Sequence, residues 1–428
     1  MIESIHIRDF RGIQGGVMDR LRQFNILVGP NNSGKSAVLE ALYLASTAGR
    51  PASCTVRYRT GDRPGREATY DVLVSAPDLL GDHPIRRLWD RHNYPGLPPA
   101  LTHWSQGSVQ VTLRDQALPV AALDLYAGER GFAEGEEQFT ALLRIDPPLP
   151  ADQKPARPQQ EPVSTLVTDL WGSSAEPFEN KRAVFCWHPD LSYYYRGSSA
   201  WLLQGTPAVA EHTLLFDADL IRRHTPLPFY QRMLSAVPGW TQRIARSFGR
   251  IFGLDRPFTL QFLPSGADKT TLQGLIAPED RPAIPIDAFG DGARSAFKLL
   301  TPLIALTTVA RPDAPGLLLW EEPESYQNPQ TLARLLQEVF GLVRGKPIQV
   351  FMATHSLEVV AQVTAMLQAE QLNADEALLF RLDLRDGKLI SSWFDKDNLI
   401  AWLESGLDPR TWQEFVSPVQ FRLRQEEA

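Results

Sequence analysis

The pattern of apolar and polar positions divides the chain into two kinds of territory. From about residue 285 onward, ARSAFKLLTPLIALTTV, NPQTLARLLQEVFGLV and SLEVVAQVTAMLQAEQ repeat apolar residues at three and four positions and predict helices. GLLLW and PIQVFMA, lying between them, are short unbroken apolar runs and predict buried strands. Helices alternating with such strands imply a mainly parallel sheet covered by helices. Asn328 followed by Pro329 supplies an N-cap and a first turn for the second helix. The front of the chain reads the same way. Ile5, Ile7 and Phe10 predict an opening strand turned at Arg11-Gly12, Phe24 to Val28 a buried strand, and Val38, Leu39, Leu42 and Ala45 a helix.

The middle lacks this regularity. Residues 51–100 are rich in proline and arginine without clear period and read as an irregular insertion. Val109, Val111 and Leu113 alternate as a strand, and DPPLPADQKPARPQQEP (146–162) is a loop that no regular element crosses. Between about 165 and 285, RAVFCW, HTLLFDA, FTLQFL and TTLQGLI predict short strands around one helix near 228–253.

Composition narrows the class. A chain of 428 residues with 43% hydrophobic residues can bury proper cores. It has neither an uncharged apolar run long enough to span a bilayer nor the order of a signal peptide, so a cytoplasmic protein without membrane contact is expected. Cys54 and Cys186 support neither a disulfide framework nor a cysteine zinc site, and His188 reads as an ordinary strand or loop histidine. The net charge of -7 argues against a uniformly basic nucleic-acid binder.

Chemistry enters at GPNNSGKS. Gly29, Pro30, Asn31, Asn32, Ser33, Gly34, Lys35 and Ser36 fit the phosphate-loop pattern and lie between a predicted strand and a predicted helix. Gly29 and Gly34 let the backbone turn its N–H groups inward, and the following helix offers its positive end to an anion. Lys35 then reaches the terminal phosphates, and the Ser36 hydroxyl ligates magnesium. The strand Leu317 to Trp320 delivers Glu321 and Glu322 at its carboxyl end, two adjacent acids that repel each other unless a cation is present. Glu321 is the expected magnesium ligand, through water, and Glu322 the catalytic acid that orients or deprotonates the attacking water. VFMATHS places His355 at the end of another strand, where a neutral imidazole can donate to a γ-phosphate.

GPNNSGKS, LLLWEEPES and ATHS, in that order, resemble an ABC-type ATPase head of the RecF, SMC and OLD (overcoming-lysogenization-defect) group, with the EEPE acids and bare THS most similar to OLD-like enzymes. IESIHIRDFRGIQGG also resembles the opening strands of that group. The resemblance implies an α/β P-loop NTPase with an ABC-ATPase-like head, ATP and Mg2+ as cofactors, and ATP hydrolysis. It divides the chain into residues 1–145, the N-terminal part of the head; 146–285, an inserted α+β lid or arm; and 286–428, the C-terminal part with signature, acids, histidine and a hairpin. It further implies a head-to-tail homodimer in which a signature segment of one subunit closes on the nucleotide of the other. FGDGARSAFKLL matches that segment, giving Gly290 and Gly292 as phosphate contacts. A larger residue at 292 is then expected to block closure alone. Asp291 stands where many such proteins have serine, and Gln106 is the nearest candidate for the glutamine loop.

Other features bear on partners. Asp395-Lys396-Asp397 follows a predicted hairpin turned by Asp386-Gly387, and the short chain after Ser356 argues against an in-chain Toprim nuclease, so an effector, with a nuclease as the leading candidate, is expected on another chain. No heptads separate Ser36 from Glu321, against an SMC-type arm. In WTQRIARSFGRIF, Trp240, Ile244, Phe248 and Ile251 share a helical face opposite Arg243, Arg246 and Arg250, a face for duplex DNA or an acidic partner, or a solvated basic surface.

Overall fold

The computed structural model describes residues 1–48, 51–59, 67–75, 78–82, 87, 91, 107–113, 121–131, 137–146, 183–186, 194–196, 210–254, 257–265, 269–279 and 281–411. The chain begins with an antiparallel hairpin, β1 (Ile2–Phe10) and β2 (Ile13–Met18), turned at Arg11 and Gly12. β3 (Phe24–Val28) leads through the glycine loop into α1 (Lys35–Ala48). β4 (Pro51–Arg59) and β5 (Glu67–Ser75) pair antiparallel as a separate hairpin, so the stretch expected to be irregular holds regular backbone. The signal was β-branched and aromatic content in CTVRY and TYDVLV rather than alternation.

β6 (Gly107–Leu113), β7 (Ala121–Gly131), β8 (Glu137–Asp146), β9 (Ala183–Cys186) and β10 (Tyr194–Arg196) form an antiparallel wing beside β1. β11 (His212–Phe216) returns to the opposite edge of the same sheet. Next come α2 (Ala218–Arg222), β12 (Thr225–Pro226), α3 (Leu227–Ala236), α4 (Trp240–Phe252), β13 (Phe258–Ser265), β14 (Thr271–Pro278) and β15 (Ile284–Pro285). The single helix expected over 228–253 is thus two, broken at Val237-Pro238-Gly239, where Gly239 takes φ +67° and Pro238 has no N–H to continue the ladder. The C-terminal series is α5 (Asp291–Val309), β16 (Gly316–Glu321), α6 (Pro329–Val343), β17 (Ile348–Ala353), α7 (Leu357–Gln368), β18 (Ala377–Arg385), β19 (Lys388–Phe394) and α8 (Lys396–Glu404).

The sheet core is parallel, in the order β11, β16, β17, β3, β18. β3 and β17 are buried at every position, the signature of strands covered on both faces. On one face Leu27, Leu319 and Phe351 meet Val38, Leu42 and Tyr43 of α1. On the other, Ile26, Trp320 and Met352 belong to a larger core that includes Trp240, Phe248, Phe297, Leu336 and Val360 from α4 to α7. The parallel pairing of β11 with β16 puts a strand from the 146–285 segment inside the sheet. Asp395 accepts from the Asn398 N–H as N-cap of α8, which gives Asp395 a structural role. Among the described residues no helix is long and apolar enough to cross a membrane.

Candidate functional site

Strand register builds the site. Ala353 is opposite Leu27 on one side and Glu321 on the other, so β3, β17 and β16 end at one level. Backbone bonds continue this alignment beyond the strands: Glu322 N–H donates to Ala353 (2.8 Å) and Thr354 N–H to Leu27 (2.9 Å). The glycine loop, the two acids and the histidine therefore leave the sheet at the same edge, where ligands bind in open parallel sheets.

The loop needs its glycines. Gly29 has φ +148°, and a Cβ there would sit 2.2 Å from the Leu382 carbonyl oxygen; Gly34 has φ +90°. Pro30, Asn31 and Asn32 are exposed at the loop crest. Lys35 is buried, and its Nζ donates to the carbonyls of Gly29 (3.0 Å) and Pro30 (2.8 Å) and to Ser33 Oγ (3.1 Å). Burial lowers the Lys35 pKa to about 8, against the opposing pull of Glu322, Glu324 and Glu321. An ammonium held so among neutral acceptors gains most from a polyanion beside it.

Ser36 Oγ donates to Glu321 Oε1 across 285 positions of sequence, and the other oxygen, Oε2, accepts from Arg91 Nη2 at 2.5 Å. A hydroxyl and a carboxylate in contact are the hard oxygen donors that magnesium takes, and a guanidinium already beside them shows that the pocket favours positive charge. Glu322 is exposed with φ +48°, a conformation unfavourable for a side chain with Cβ, and its Oε2 accepts from the Ser325 hydroxyl at 3.0 Å. Glu324 is committed to structure, accepting from Thr354 Oγ1 (2.8 Å) and from the His355 N–H (2.9 Å). The His355 carbonyl accepts from Arg410 Nη1 at 2.6 Å. Burial and the Lys35 charge lower the His355 pKa despite Glu322 and Glu324 nearby, which keeps the imidazole neutral.

Gly290 is the exposed N-cap of α5, and Asp291 accepts from Arg294 at 2.5 Å, turned to its own helix. Among the described residues no hydrogen bond joins Gly290 or Gly292 to residues 29–36. Gly292 is instead held by the segment after the acids: Gln327 Nε2 donates to its carbonyl at 3.0 Å, and a Cβ would lie 2.6 Å from the Tyr326 carbonyl oxygen. The expectation that a larger residue at 292 disturbs only closure is corrected by this contact, which any side chain would break within the subunit. On α4, Arg243 donates to Thr308 (2.5 Å) and Arg250 pairs with Glu338 (3.2 Å), whereas Arg246 is exposed beside a cavity of about 770 Å3 between α4 and β13. Gln106 and His188 lie outside the described residues.

A buried charge network adjoining the site was not anticipated. Arg11 reaches Glu40 (2.5 Å), Arg91 reaches Glu40 (3.4 Å) and Asp217 (3.3 Å), and Arg87 joins Asp217 to Asp78 at 3.2 Å each. Two signals were available: Glu40 interrupts the apolar run of α1, and Arg87 and Arg91 are four positions apart, the spacing of one helical face.

Two protein families match parts of this chain. The family described as "AAA domain, putative AbiEii toxin, Type IV TA system" matches residues 211–361, and the AAA ATPase domain family matches residues 1–55. The first takes in the acids and histidine, the second the phosphate loop. An uncharacterized protein of Methanocaldococcus jannaschii, MJECL10, is 54% identical over 44 residues, 10% of this chain and 20% of that one. The chain thus spans about a fifth of that relative's length. Among solved structures, an Smc head bound to the C-terminal winged-helix domain of ScpA is 12% identical with a TM-score of 0.44, covering 92% of this chain and 97% of that one. The SMC head domain from Thermotoga maritima is 14% identical with a TM-score of 0.37, covering 91% and 98%. Two stretches of the chain, one holding the glycine loop and the other the acids and the histidine, are thus similar to AAA ATPase domains. These two sequence-separated stretches meet in one parallel sheet.

Proposed function

We propose that the chain hydrolyses ATP between two heads arranged head to tail, and that this closure controls a separate effector, in the manner of OLD-like ATPases and with a role in anti-phage defence or genome maintenance. The carrying observation is the common edge at which Lys35, Ser36, Glu321, Glu322 and His355 emerge, while the exposed start of α5 lies free of hydrogen bonds to the loop among the described residues. Lys35 and the loop amides bind the phosphates, with the α1 N-terminus adding its partial positive charge. Ser36 and Glu321 would hold magnesium, which when bound neutralises phosphate charge. Glu322 orients the attacking water and accepts its proton, since Glu324 is occupied by Thr354 and His355. Neutral His355 donates to the γ-phosphate. Gly290, at the start of α5, offers backbone N–H groups to the nucleotide of a partner head.

The test pairs ATP turnover with mass by light scattering. Glu322→Gln keeps the shape and removes the proton acceptor, so turnover falls about a hundredfold, ATP still binds, and the closed dimer accumulates. Lys35→Ala weakens binding itself and yields no ATP-dependent dimer. Parent-rate hydrolysis by Glu322→Gln would remove Glu322 from the role of catalytic acid.

A further inference from the structure

Arg91 stands at the one place in the site where the proposed chemistry calls for a cation. Its Nη2 lies 2.5 Å from Glu321 Oε2, while the Ser36 hydroxyl donates to Oε1 of the same carboxylate. Both oxygens of Glu321 are therefore engaged. The other guanidinium nitrogens face Glu40 at 3.4 Å and Asp217 at 3.3 Å, carboxylates that are 1% and 2% exposed. A lysine has one terminal nitrogen and could not span three carboxylates; the planar fork of arginine can.

We infer that Arg91 is the resident counter-ion of the metal site, a positioning residue that holds Glu321 beside Ser36 until magnesium nucleotide takes its place. The inference rests on the reading of Ser36 and Glu321 as metal ligands. A guanidinium 2.5 Å from Glu321 and a divalent cation on the same carboxylate repel each other, so one must yield. Loading the site is thereby coupled to the network behind it. Asp217 caps α2 through the Leu220 N–H at 2.9 Å, and Asp78 accepts the N–H groups of Leu80, Gly81 and Asp82 at 2.9 to 3.1 Å. When Arg91 leaves Glu321, Glu40 and Asp217 gain a larger share of its charge, and Asp217 is joined to Asp78 through Arg87. The network does not depend on Arg91 alone. Glu40 keeps Arg11 at 2.5 Å, and Asp217 keeps Arg87 at 3.2 Å.

The experiment is binding of a fluorescent, non-hydrolysable ATP analogue at fixed concentration, titrated with Mg2+, for the parent, Arg91→Ala and Arg91→Lys. With its competitor removed, Arg91→Ala should reach half-maximal binding at about tenfold less Mg2+, the scale of one charge-assisted pair. Arg91→Lys, which keeps the charge and loses the fork, should fall between. Thermal melts without nucleotide verify folding, and if Arg91→Ala does not fold, the Lys variant decides. A Mg2+ requirement present in the parent and unchanged or raised in the variants overturns the inference alone. Binding by the parent that ignores Mg2+ overturns the metal reading and this inference with it.

Discussion

His355 is half-buried, carries its neighbour's hydrogen bond through its backbone rather than its ring, and sits near the Lys35 ammonium. Burial and that charge place its pKa below the ordinary 6.5, with a definite sign for pH. The folded chain resists protonating this ring, whereas the unfolded chain accepts the proton near 6.5; stability is thus unaffected above 6.5 and declines as pH falls below it. Melts of the parent and of His355→Gln should run parallel at neutral pH, and the parent should lose more stability in acid. An equal acid loss in both would show that the ring carries no such shift. Turnover should likewise hold level from neutral pH down to 6.5 as far as this residue is concerned, because the neutral donor persists there.

At the scale of elements, α4 shows how one helix divides its work. Trp240, Ile244, Phe248 and Ile251 are at most 1% exposed, and the Trp240 ring N–H donates to the Thr301 carbonyl at 3.0 Å, tying α4 to α5. The opposite face is less uniform than its spacing implies. Arg243 is tied to α5 through Thr308, and Arg250, which is 61% exposed, reaches Glu338 on α6. Arg246 alone of the three has its side chain exposed without such a tie among the contacts described. Substitution by alanine should therefore sort them. Arg243→Ala should lower stability by about 1 kcal/mol, the worth of a hydrogen bond, and Arg246→Ala by less than about 0.5 kcal/mol in urea unfolding. If duplex DNA binds this helix, Arg246→Glu should weaken it and reduce the salt slope by about one, with stability unchanged. A DNA affinity that ignores Arg246 would place the contact on another surface.

On the scale of the whole molecule, the sheet separates two cores and gathers the loop, the acids and the histidine at one edge, and the start of α5 is exposed. Gly290 and Gly292 differ sharply there. A Cβ at Gly290 meets nothing within 4 Å, so Gly290→Glu should leave the subunit folded and able to bind ATP while abolishing the ATP-dependent dimer of the Glu322→Gln background. Gly292→Ala drives a methyl to 2.6 Å from the Tyr326 carbonyl oxygen and should lower monomer stability by about 1–3 kcal/mol even without nucleotide. Denaturant unfolding and light scattering separate these outcomes. A Gly290→Glu protein that still dimerises would take the α5 N-terminus out of the interface.

The glycine loop, the buried strands, the Asn328 cap and the apolar face of α4 were legible in the sequence because each is a local matter, set by backbone sterics, capping or a period of a few residues. Asn328 Oδ1 does accept the Thr331 N–H at 2.9 Å, and β3, β16 and β17 stand where their apolar runs predict. Strand partnership is not local. Nothing in HTLLF states that it will lie parallel to GLLLW, 104 positions away at the paired residues His212 and Gly316, because a buried strand pairs with whatever edge the completed sheet presents. The ion network was hidden for a related reason. Arg91 in a proline- and arginine-rich stretch reads as a solvated charge, and only the tertiary fold, by closing 230 residues of chain and excluding water, brings it to Glu321 and gives the contact its strength.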